Sequence, residues 1–504
     1  MTPKLELAKL TSEGEVTLYT VPYKDVEILL SSTPEAIDIL DRPECIGVDF
    51  QAKLSKSITR TLAASYTLGL GSHAINMETG PMDVLYLLRG GLNFDLHRSL
   101  TEVVGRAPEV TFLSSQRVED VNSADGFEIG EASYEKWSIQ DQSLLCIGDI
   151  SATGTTLEHA LGRALSAYAR EGKRPRRLLI VTIGTSRLIP RLANMQAELR
   201  RAWSPSFEGI TVLYLDGIFT LYERNAALSK THLSFTDFFR KEAPRSIEFE
   251  EKNLANPVCF LERCAIYDGG SRSFEPATYL RNLFSYWQRL FQERQELDIR
   301  RLLMLKSDLL DHELPFFDWV GKRYWWRNTA ESELRRIHEQ GRDALGNLLS
   351  RSLADVCEER MAQLPKVEET KEMRIIDKLA WINLDNRRIL STRSKGKDTY
   401  YIPGGKREAD ESDHDALIRE IREELTVELL RDSLQHIGTF EAQAHGHNEG
   451  VIVRMTCYSG KYNGELAPSS EIDEMVWFEH KDRDRSSPVD KIIFDWLRDQ
   501  DLID

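Results

Sequence analysis

No stretch of this 504-residue chain approaches the ~20 consecutive apolar residues of a membrane-spanning helix, so no membrane role is expected. The opening residues, Met1-Thr-Pro-Lys-Leu-Glu6, carry no apolar core of a secretory signal. Cysteine is scarce and scattered, at Cys45, Cys146, Cys259, Cys264, Cys357 and Cys457. With no C-x2-C pair among them, reduced thiols in a cytoplasm are expected. Positive charge is in deficit: 65 Lys and Arg face 81 Asp and Glu, a net charge of −16. That balance argues against broad, non-specific nucleic-acid binding, because nucleic-acid phosphates would be repelled. Internal repeats and low-complexity tracts are also lacking. What remains, 41% hydrophobic and 29% charged residues, describes a globular chain; its length suits about two to four domains. A homo-oligomer is compatible with all of this.

The most informative segment is Gly405-Lys-Arg-Glu-Ala-Asp-Glu411, followed after seven residues by Arg419-Glu-Ile-Arg-Glu-Glu424. Its spacing is G-x5-E-x7-R-E-U-x-E-E-x-T-U, with U a bulky aliphatic residue. Glu420, Glu423 and Glu424 stand at i, i+3 and i+4, so a helix over Asp415–Val427 would gather their carboxylates on one face. Like charges so close weaken a helix unless a cation compensates, and hard carboxylate oxygens favour Mg2+ or Mn2+. A solvated acidic helix face is the bland alternative. The preceding Ile402-Pro-Gly-Gly405 and the outlying Glu411 argue against it.

This segment resembles the Nudix box. The resemblance implies a C-terminal domain over 367–504, an α/β/α sandwich with a mixed sheet, that hydrolyses a nucleoside diphosphate linked to another group. Carried over residue by residue, it makes Glu420, Glu423 and Glu424 metal ligands, with Glu423 or Glu424 doubling as general base. Arg419 becomes the orienter of a glutamate, and Gly405 opens the loop. One position departs: a glycine expected near the end of the box is Thr426, which alters the helix exit and removes no ligand. Around the box, Asp377–Leu384 and Arg388–Ser391 read as strands paired about Asp385-Asn386, and Val451–Tyr458 as a buried strand. Within Glu471-Ile-Asp-Glu-Met-Val-Trp477, Glu474 is a weaker candidate to assist the metal or water. Gln443-Ala-His445-Gly-His447 receives no metal role.

A second signal lies upstream. Ser143–Asp149 is an apolar strand entering the Thr153-Gly154-Thr155-Thr156 loop and a helix. Backbone N–H groups at such a helix start, with the hydroxyls, make an anion site. Val84–Leu88 likewise runs into Arg89-Gly90-Gly91. The pair resembles the type I phosphoribosyltransferase fold over 35–245, an α/β domain with a mainly parallel sheet. The resemblance assigns Asp149, Thr153, Gly154, Thr155 and Thr156 to the 5-phosphate and ribose of phosphoribosyl pyrophosphate, and Arg89, Gly90 and Gly91 to its pyrophosphate. Glu109–Ser115 and Ala132–Trp137 read as strands flanking a hood, Gln116–Glu131. Leu178–Gly184 and Ile210–Leu215 follow, the latter ending at a turn, Asp216-Gly217, that could face a base. Where the family loop begins with two acids, this chain has Gly148 and Asp149. One lost hydrogen bond to a charged group costs roughly 1.5–3 kcal/mol, or one to two decades in affinity.

Residues 1–34 read as an N-terminal extension and 246–366 as a mainly helical connector, with Leu283, Trp287, Leu290 and Phe291 at helical spacing. Cys264 reads as a structural thiol. Lys322-Arg-Tyr-Trp-Trp-Arg327 interleaves cations with aromatics, a pattern of packed core or of base stacking. Pro365–Glu372 is a polar linker. The whole reads as a cytoplasmic, multidomain α/β protein of nucleotide metabolism. Its partners are small nucleotides or ribose phosphates, with ADP-ribose, NAD-like dinucleotides, modified nucleoside triphosphates and phosphoribosyl pyrophosphate all admissible. The alternative is a regulatory or defence-type sensor whose N-terminal domain is not catalytic.

Overall fold

The computed structural model describes residues 5–67, 80–88, 90–114, 117–119, 127–129, 134–221, 237–263, 269–366, 374–408, 411–443 and 451–504. Arg89, Cys264, His445, His447 and most of the hood segment lie outside the described residues. The chain divides into two compact units, Met1–Lys366 and Val367–Asp504. No helix among the described residues is long and apolar enough to cross a membrane.

The first unit is built on a ten-stranded sheet. Three strands, β1 (Ala8–Glu13), β2 (Val16–Thr20) and β3 (Glu27–Ser32), form an antiparallel meander. From β3 the sheet continues as parallel strands, through β4 (Met82–Leu88), β5 (Glu109–Ser114), β6 (Leu144–Ser151), β7 (Arg177–Thr185) and β8 (Gly209–Leu221). Their spatial order is β3-β8-β7-β6-β4-β5. The chain therefore steps outward from β4 to β5, returns to the other side of β4 with β6, and proceeds away from it. Order reverses between β4 and β6, and in open α/β sheets such a reversal opens a crevice at the carboxyl ends of the two strands. Leu144 and Cys146 pack on one face with Phe50, Leu54 and Leu100, while Leu145 and Ile147 of opposite parity are also buried. Burial of both faces is why these strands read as unbroken apolar runs.

The strand expected to end before Asp216 runs on to Leu221. Asp216 sits inside it at φ 55°, where the register against β7 shifts. It is fully buried and accepts hydrogen bonds from Ser32 Oγ and Ser246 Oγ at 2.5 and 2.9 Å. It therefore marks an irregularity within a strand, and faces neither a terminal turn nor a base. Helices of 246–366 pack into the same unit. Trp325 and Trp326 are buried there: Trp326 Nε1 donates to the Arg245 carbonyl at 2.9 Å, and the Arg245 guanidinium lies 5.7 and 6.0 Å from the two rings. Arg245 is itself buried against Glu250 and Asp308. These indoles are core, and stacking on a base is closed to them.

The second unit holds β9 (Arg374–Trp381), β10 (Leu384–Asp385), β11 (Arg388–Ser394), helix α1 (Asp413–Leu425), β12 (Gln435–Gln443), β13 (Val451–Ser459), β14 (Ile472–Phe478) and helix α2 (Pro488–Asp499). Two three-stranded sheets form, β9-β13-β12 and β10-β11-β14. The expected hairpin is mostly different: β9 pairs in parallel with β13, and only Leu384 and Asp385 pair with β11. Asn386 and Arg387, both at positive φ, make the tight turn that permits this. Alternation along β9 sorts the core. Leu379 and Trp381 pack with Ala416, Leu417, Ile421 and Leu425 of α1. Ala380 and Ile382 pack with Val489, Ile493, Phe494 and Leu497 of α2. The period of two thus places one helix on each side of the strands.

Candidate active site

Ser412 starts α1 by accepting from the Asp415 N–H at 3.2 Å, the side-chain cap its sequence position favours. The apolar stripe Ala416-Leu417-Ile421-Leu425 holds one face to β9, with Glu424 buried at its edge and Glu423 exposed. Upstream, Leu379 N and Trp381 N of β9 donate to the carbonyls of Gly405 and Pro403, at 2.8 and 2.9 Å. The loop Pro403–Gly405 is therefore fastened beside the strand. Glu420 lies against Gly405: a Cβ there would sit 2.1 Å from the Glu420 carboxyl carbon and would displace that carboxylate.

Arg419 organises the acids. Its Nε and Nη2 donate to Glu411 Oε1 and Oε2 at 2.9 and 2.8 Å, and its Nη1 to Glu420 Oε1 at 2.9 Å. A planar guanidinium makes such a paired contact where an ammonium cannot. Arg419 and the Glu408 N–H hold the Glu411 carboxyl down, at about 2. Glu424 has the opposite setting. It is 7% exposed and accepts from the Gly404 N–H at 3.1 Å. Burial first, then the neighbouring Glu471 and Glu420 carboxylates, push its pKa up to about 8, against the pull of the Gly404 N–H and of Lys378.

Glu420, Glu424, Gly404, Gly405 and Glu471 line a cavity of about 510 Å3. Glu423 is not in its wall; its side chain is 55% exposed and stands 4.0 Å from Arg419. Glu474 is also elsewhere, 41% exposed, with Arg393 and the Tyr400 hydroxyl donating to its Oε2. Glu471 occupies the place considered for Glu474. Reading from sequence passed over Glu471 because strand phase is broken: Arg393 pairs with Glu474, yet Ser394 pairs with Ile472. Among the described residues, no three Asp, Glu, His or Cys side chains stand close enough to enclose a metal ion as they are. The donors are nonetheless hard oxygens, one of them a buried carboxylate beside two others, which suits a small divalent cation. Thr426 ends α1 at φ 63°, in the left-handed region that glycine takes elsewhere.

In the first unit, both glycine loops emerge at the carboxyl ends of β4 and β6, the crevice of the order reversal. A Cβ on Gly90 would lie 3.3 Å from Asp149 Oδ1, and one on Gly91 would lie 2.9 Å from the Gly148 carbonyl. Gly154, at φ 86°, precedes the helix Thr155–Arg170 as an N-cap without a side chain, and the Thr155 N–H points to Thr153 Oγ1 at 3.5 Å. Thr153 Oγ1 and Thr155 Oγ1 are 3.0 Å apart. Thr182 and Thr185 of β7 brace the loop, donating to the Asp149 and Ala152 carbonyls at 2.8 and 2.6 Å. Gly148, however, is not an empty acid position. Phe94 fills it, with ring and Cβ atoms 2.5–2.9 Å from where a Cβ on Gly148 would be. Beside it, Gly269 packs on Ile150, and Asn93 Nδ2 donates to the Gly269 carbonyl at 2.8 Å.

A family model for the NUDIX domain matches residues 378–497. The uncharacterized Nudix hydrolase YvcI of Bacillus subtilis strain 168 is 27% identical over 112 residues, 22% of this chain and 71% of that protein. Among solved structures, the E. coli ORF135 protein is similar at 26% identity, covering 25% of this chain and 92% of that one, with a TM-score of 0.22. The MutT protein of Bacillus halodurans is similar at 22% identity, covering 24% and 79%, with a TM-score of 0.21. The C-terminal unit of this mixed α/β protein carries a Nudix domain, and the chain is a hydrolase.

Proposed function

We propose that the C-terminal unit hydrolyses a pyrophosphate bond of a nucleotide derivative with the help of Mg2+ or Mn2+. The observation that carries this reading is Glu424, a buried carboxylate crowded by Glu420 and Glu471, an arrangement that only a proton or a cation stabilises. Glu420 and Glu424 would hold the metal, with Glu471 beside them and Glu423 at the exposed edge of the same helix. A divalent ion there supplies Lewis acidity toward the phosphoryl oxygens and lowers the pKa of bound water. The chain's own part is positional. Arg419 fixes Glu420 and ties it to Glu411, the Gly404 N–H orients Glu424, and the Pro403–Gly405 loop keeps both against β9. Glu424 is our choice of proton acceptor for the attacking water, since Glu423 stands outside the cavity wall. Incubating the full chain with nucleotide sugars, dinucleotides, nucleoside triphosphates and phosphoribosyl pyrophosphate, with Mg2+ or with EDTA, tests this by mass spectrometry. Cleavage at a pyrophosphate with uptake of one water is expected only with metal. Equal turnover in EDTA would overturn the metal assignment.

We further propose that the crevice between β4 and β6 binds a ribose phosphate through Asp149 and the Thr153–Thr156 loop without transferring it. Phe94 under Gly148 favours this sensor-like reading: the position is closed by an aromatic ring, so a second ribose-binding acid has no room. Calorimetry on a fragment ending at Lys366, titrated with phosphoribosyl pyrophosphate and Mg2+, should give heat at millimolar ligand. Release of pyrophosphate on adding a nucleobase panel would overturn the non-catalytic reading.

A further inference from the structure

The first unit holds a cavity of about 250 Å3 to which the β4–β6 crevice contributes no residue. Its wall comes from the end of the helix Pro34–Asp41, the turn Pro257–Phe260 and the helix Leu353–Gln363. Four carboxylates, Asp41, Glu44, Glu262 and Glu359, stand in it with three arginines, Arg42, Arg351 and Arg360. The arginines are already engaged. Arg360 bridges Glu44 and Glu262, Arg351 pairs with Glu359, and Arg42 lies 3.3 Å from Asp38 and 3.6 Å from Glu44. Asp41 is the carboxylate left over. It is 6% exposed, its Oδ2 is buried without a hydrogen-bond partner, and its Oδ1 receives a long contact of 3.5 Å from Arg240 Nη2. That guanidinium is shared: Nη2 also donates to the Leu40 carbonyl at 3.0 Å, and Nη1 to the Cys259 carbonyl at 3.2 Å.

An ionised carboxylate can accept about four hydrogen bonds, so Asp41 is short of donors. Its place in the fold sharpens the shortage. Unpaired carbonyls at a helix C-terminus favour a cation, and the last turn of this helix has no basic residue. Burial pushes the Asp41 pKa up to about 6, with Arg240 and Lys252 pulling it down and Asp38 adding to the rise. A carboxylate so placed gains most from a donor that also carries positive charge. The cavity has room for one, since about 250 Å3 is the volume of about eight waters. Val258 and Val356 add apolar wall beside the charges. An anion would have to take an arginine from a carboxylate that already holds it. We propose that this cavity binds a small organic cation bearing N–H donors, an alkylammonium or alkylguanidinium, with its charged head on Asp41 and its carbon chain against Val258 and Val356.

The test uses the full chain in saturating Mg2+, titrated by calorimetry with n-butylamine and with agmatine. Saturable binding is expected, and the melting temperature of the N-terminal unit should rise with either probe. Tetramethylammonium carries the charge without an N–H and should bind at least about tenfold more weakly, the worth of one charge-assisted hydrogen bond. Asp41→Asn keeps the shape and removes the charge. Because burial disfavours that charge, the variant should melt no lower than wild type when no amine is present. Its affinity for both probes should fall about ten- to a hundredfold. Asp25→Asn removes the same charge from an exposed carboxylate and should change affinity less than about twofold. Should Asp41→Asn fail to fold, Val258→Phe decides instead: the larger side chain, at a half-buried position of the wall, should abolish binding of both probes. Unchanged affinity in Asp41→Asn or in Val258→Phe, equal binding of tetramethylammonium, or no saturable heat with either amine would overturn the proposal. So would binding of inorganic phosphate that weakens in Arg351→Gln, which would assign the cavity to an anion.

Discussion

The two units solve the same local problem with opposite contents. Each sets a glycine where another group approaches too closely for an undisturbed Cβ, Gly405 in the loop before α1 and Gly148 within strand β6. At Gly405 the intruder is the Glu420 carboxylate, held there by Arg419. At Gly148 it is the Phe94 ring. The first glycine makes room for charge and the second for apolar packing. A glycine in or beside a strand therefore reports a close approach, and the chemistry of the approaching group must be found separately.

The sharpest way to break this contrast is to remove the charge on one side. Glu424→Gln keeps shape and hydrogen-bonding capacity while deleting the carboxylate. Metal-dependent hydrolysis should fall at least about 100-fold, the scale of a lost general base or metal ligand. Because burial already disfavours the charged form of Glu424, the melting temperature of the C-terminal unit in EDTA should hold or rise. Near wild-type turnover would remove Glu424 from the mechanism; lost turnover with a collapsed melting transition would make its role structural.

On the other side, Gly148→Ala should destabilise the N-terminal unit by about 1–3 kcal/mol, since the new methyl has to displace Phe94. Adding Phe94→Ala should recover part of that loss, and the double-mutant cycle measures the coupling. Gly148→Asp should be worse still and should not tighten binding of a ribose phosphate. Sequence alone suggests the reverse, a ribose contact restored by the added acid. Tighter binding with unchanged melting would show that the ring yields easily and that the sequence-based expectation was right.

These two sites also mark what could be read from the sequence. The box was legible because its geometry is local: Arg419, Glu420 and Glu424 share one helix, and helical spacing alone predicts their neighbourhood. Gly405 and Glu411 followed from the spacing of the same motif. Glu471 was not legible, because its placement depends on a register shift between β11 and β14 that no alternation pattern encodes. Pairing of β9 with β13 escaped for a related reason: the turn expected at Asp385-Asn386 forms one residue later, at Asn386-Arg387, and serves only the two residues of β10. Phe94 under Gly148 is a contact between the short turn Gly90–Phe94 after β4 and strand β6, and composition near either gives no sign of it. The aromatic pair Trp325-Trp326 fits both core and ligand stacking until burial decides.

Acidity offers a subtler separation. Asp490, fully buried and bonded by Ser487 Oγ at 2.7 Å, is pushed up to about 7, chiefly by burial. Glu424 is pushed up to about 8. Unfolded, both titrate near about 4. Raised folded values mean that folding favours the protonated forms, so this contribution is complete below about pH 4 and is lost as pH rises through about 7 and 8. Glu411, held at about 2, works in the other direction, and its contribution fades only below about pH 4.5. The window from pH 4.5 to 8 therefore isolates the raised pair. In EDTA, the melting temperature of the C-terminal unit should fall across it, and Asp490→Asn should flatten the slope. A slope unchanged by Asp490→Asn would assign the loss to other groups.

The smallest expected effect is at Thr426, where the helix carrying the acids ends. A β-branched residue at φ 63° costs roughly 1–2 kcal/mol relative to an unstrained conformation. The Thr426 hydroxyl, 2.7 Å from the Leu425 carbonyl and 3.1 Å from the Glu465 carbonyl, recovers some of this by donating to one of them, while the Thr426 N–H donates to the Arg422 carbonyl at 3.1 Å. Thr426→Gly relieves the strain but loses the hydroxyl contact, about 0.5–1.5 kcal/mol, and adds freedom to the unfolded chain. The net change should be a gain of less than about 1 kcal/mol, with activity intact because no carboxylate moves. Thr426→Asn separates the contributions, since asparagine tolerates the left-handed region and keeps a polar side chain. It should be at least as stabilising as the glycine variant. If both substitutions destabilise, the hydroxyl bond outweighs the backbone strain, and threonine at this position is the better helix stop despite its conformation.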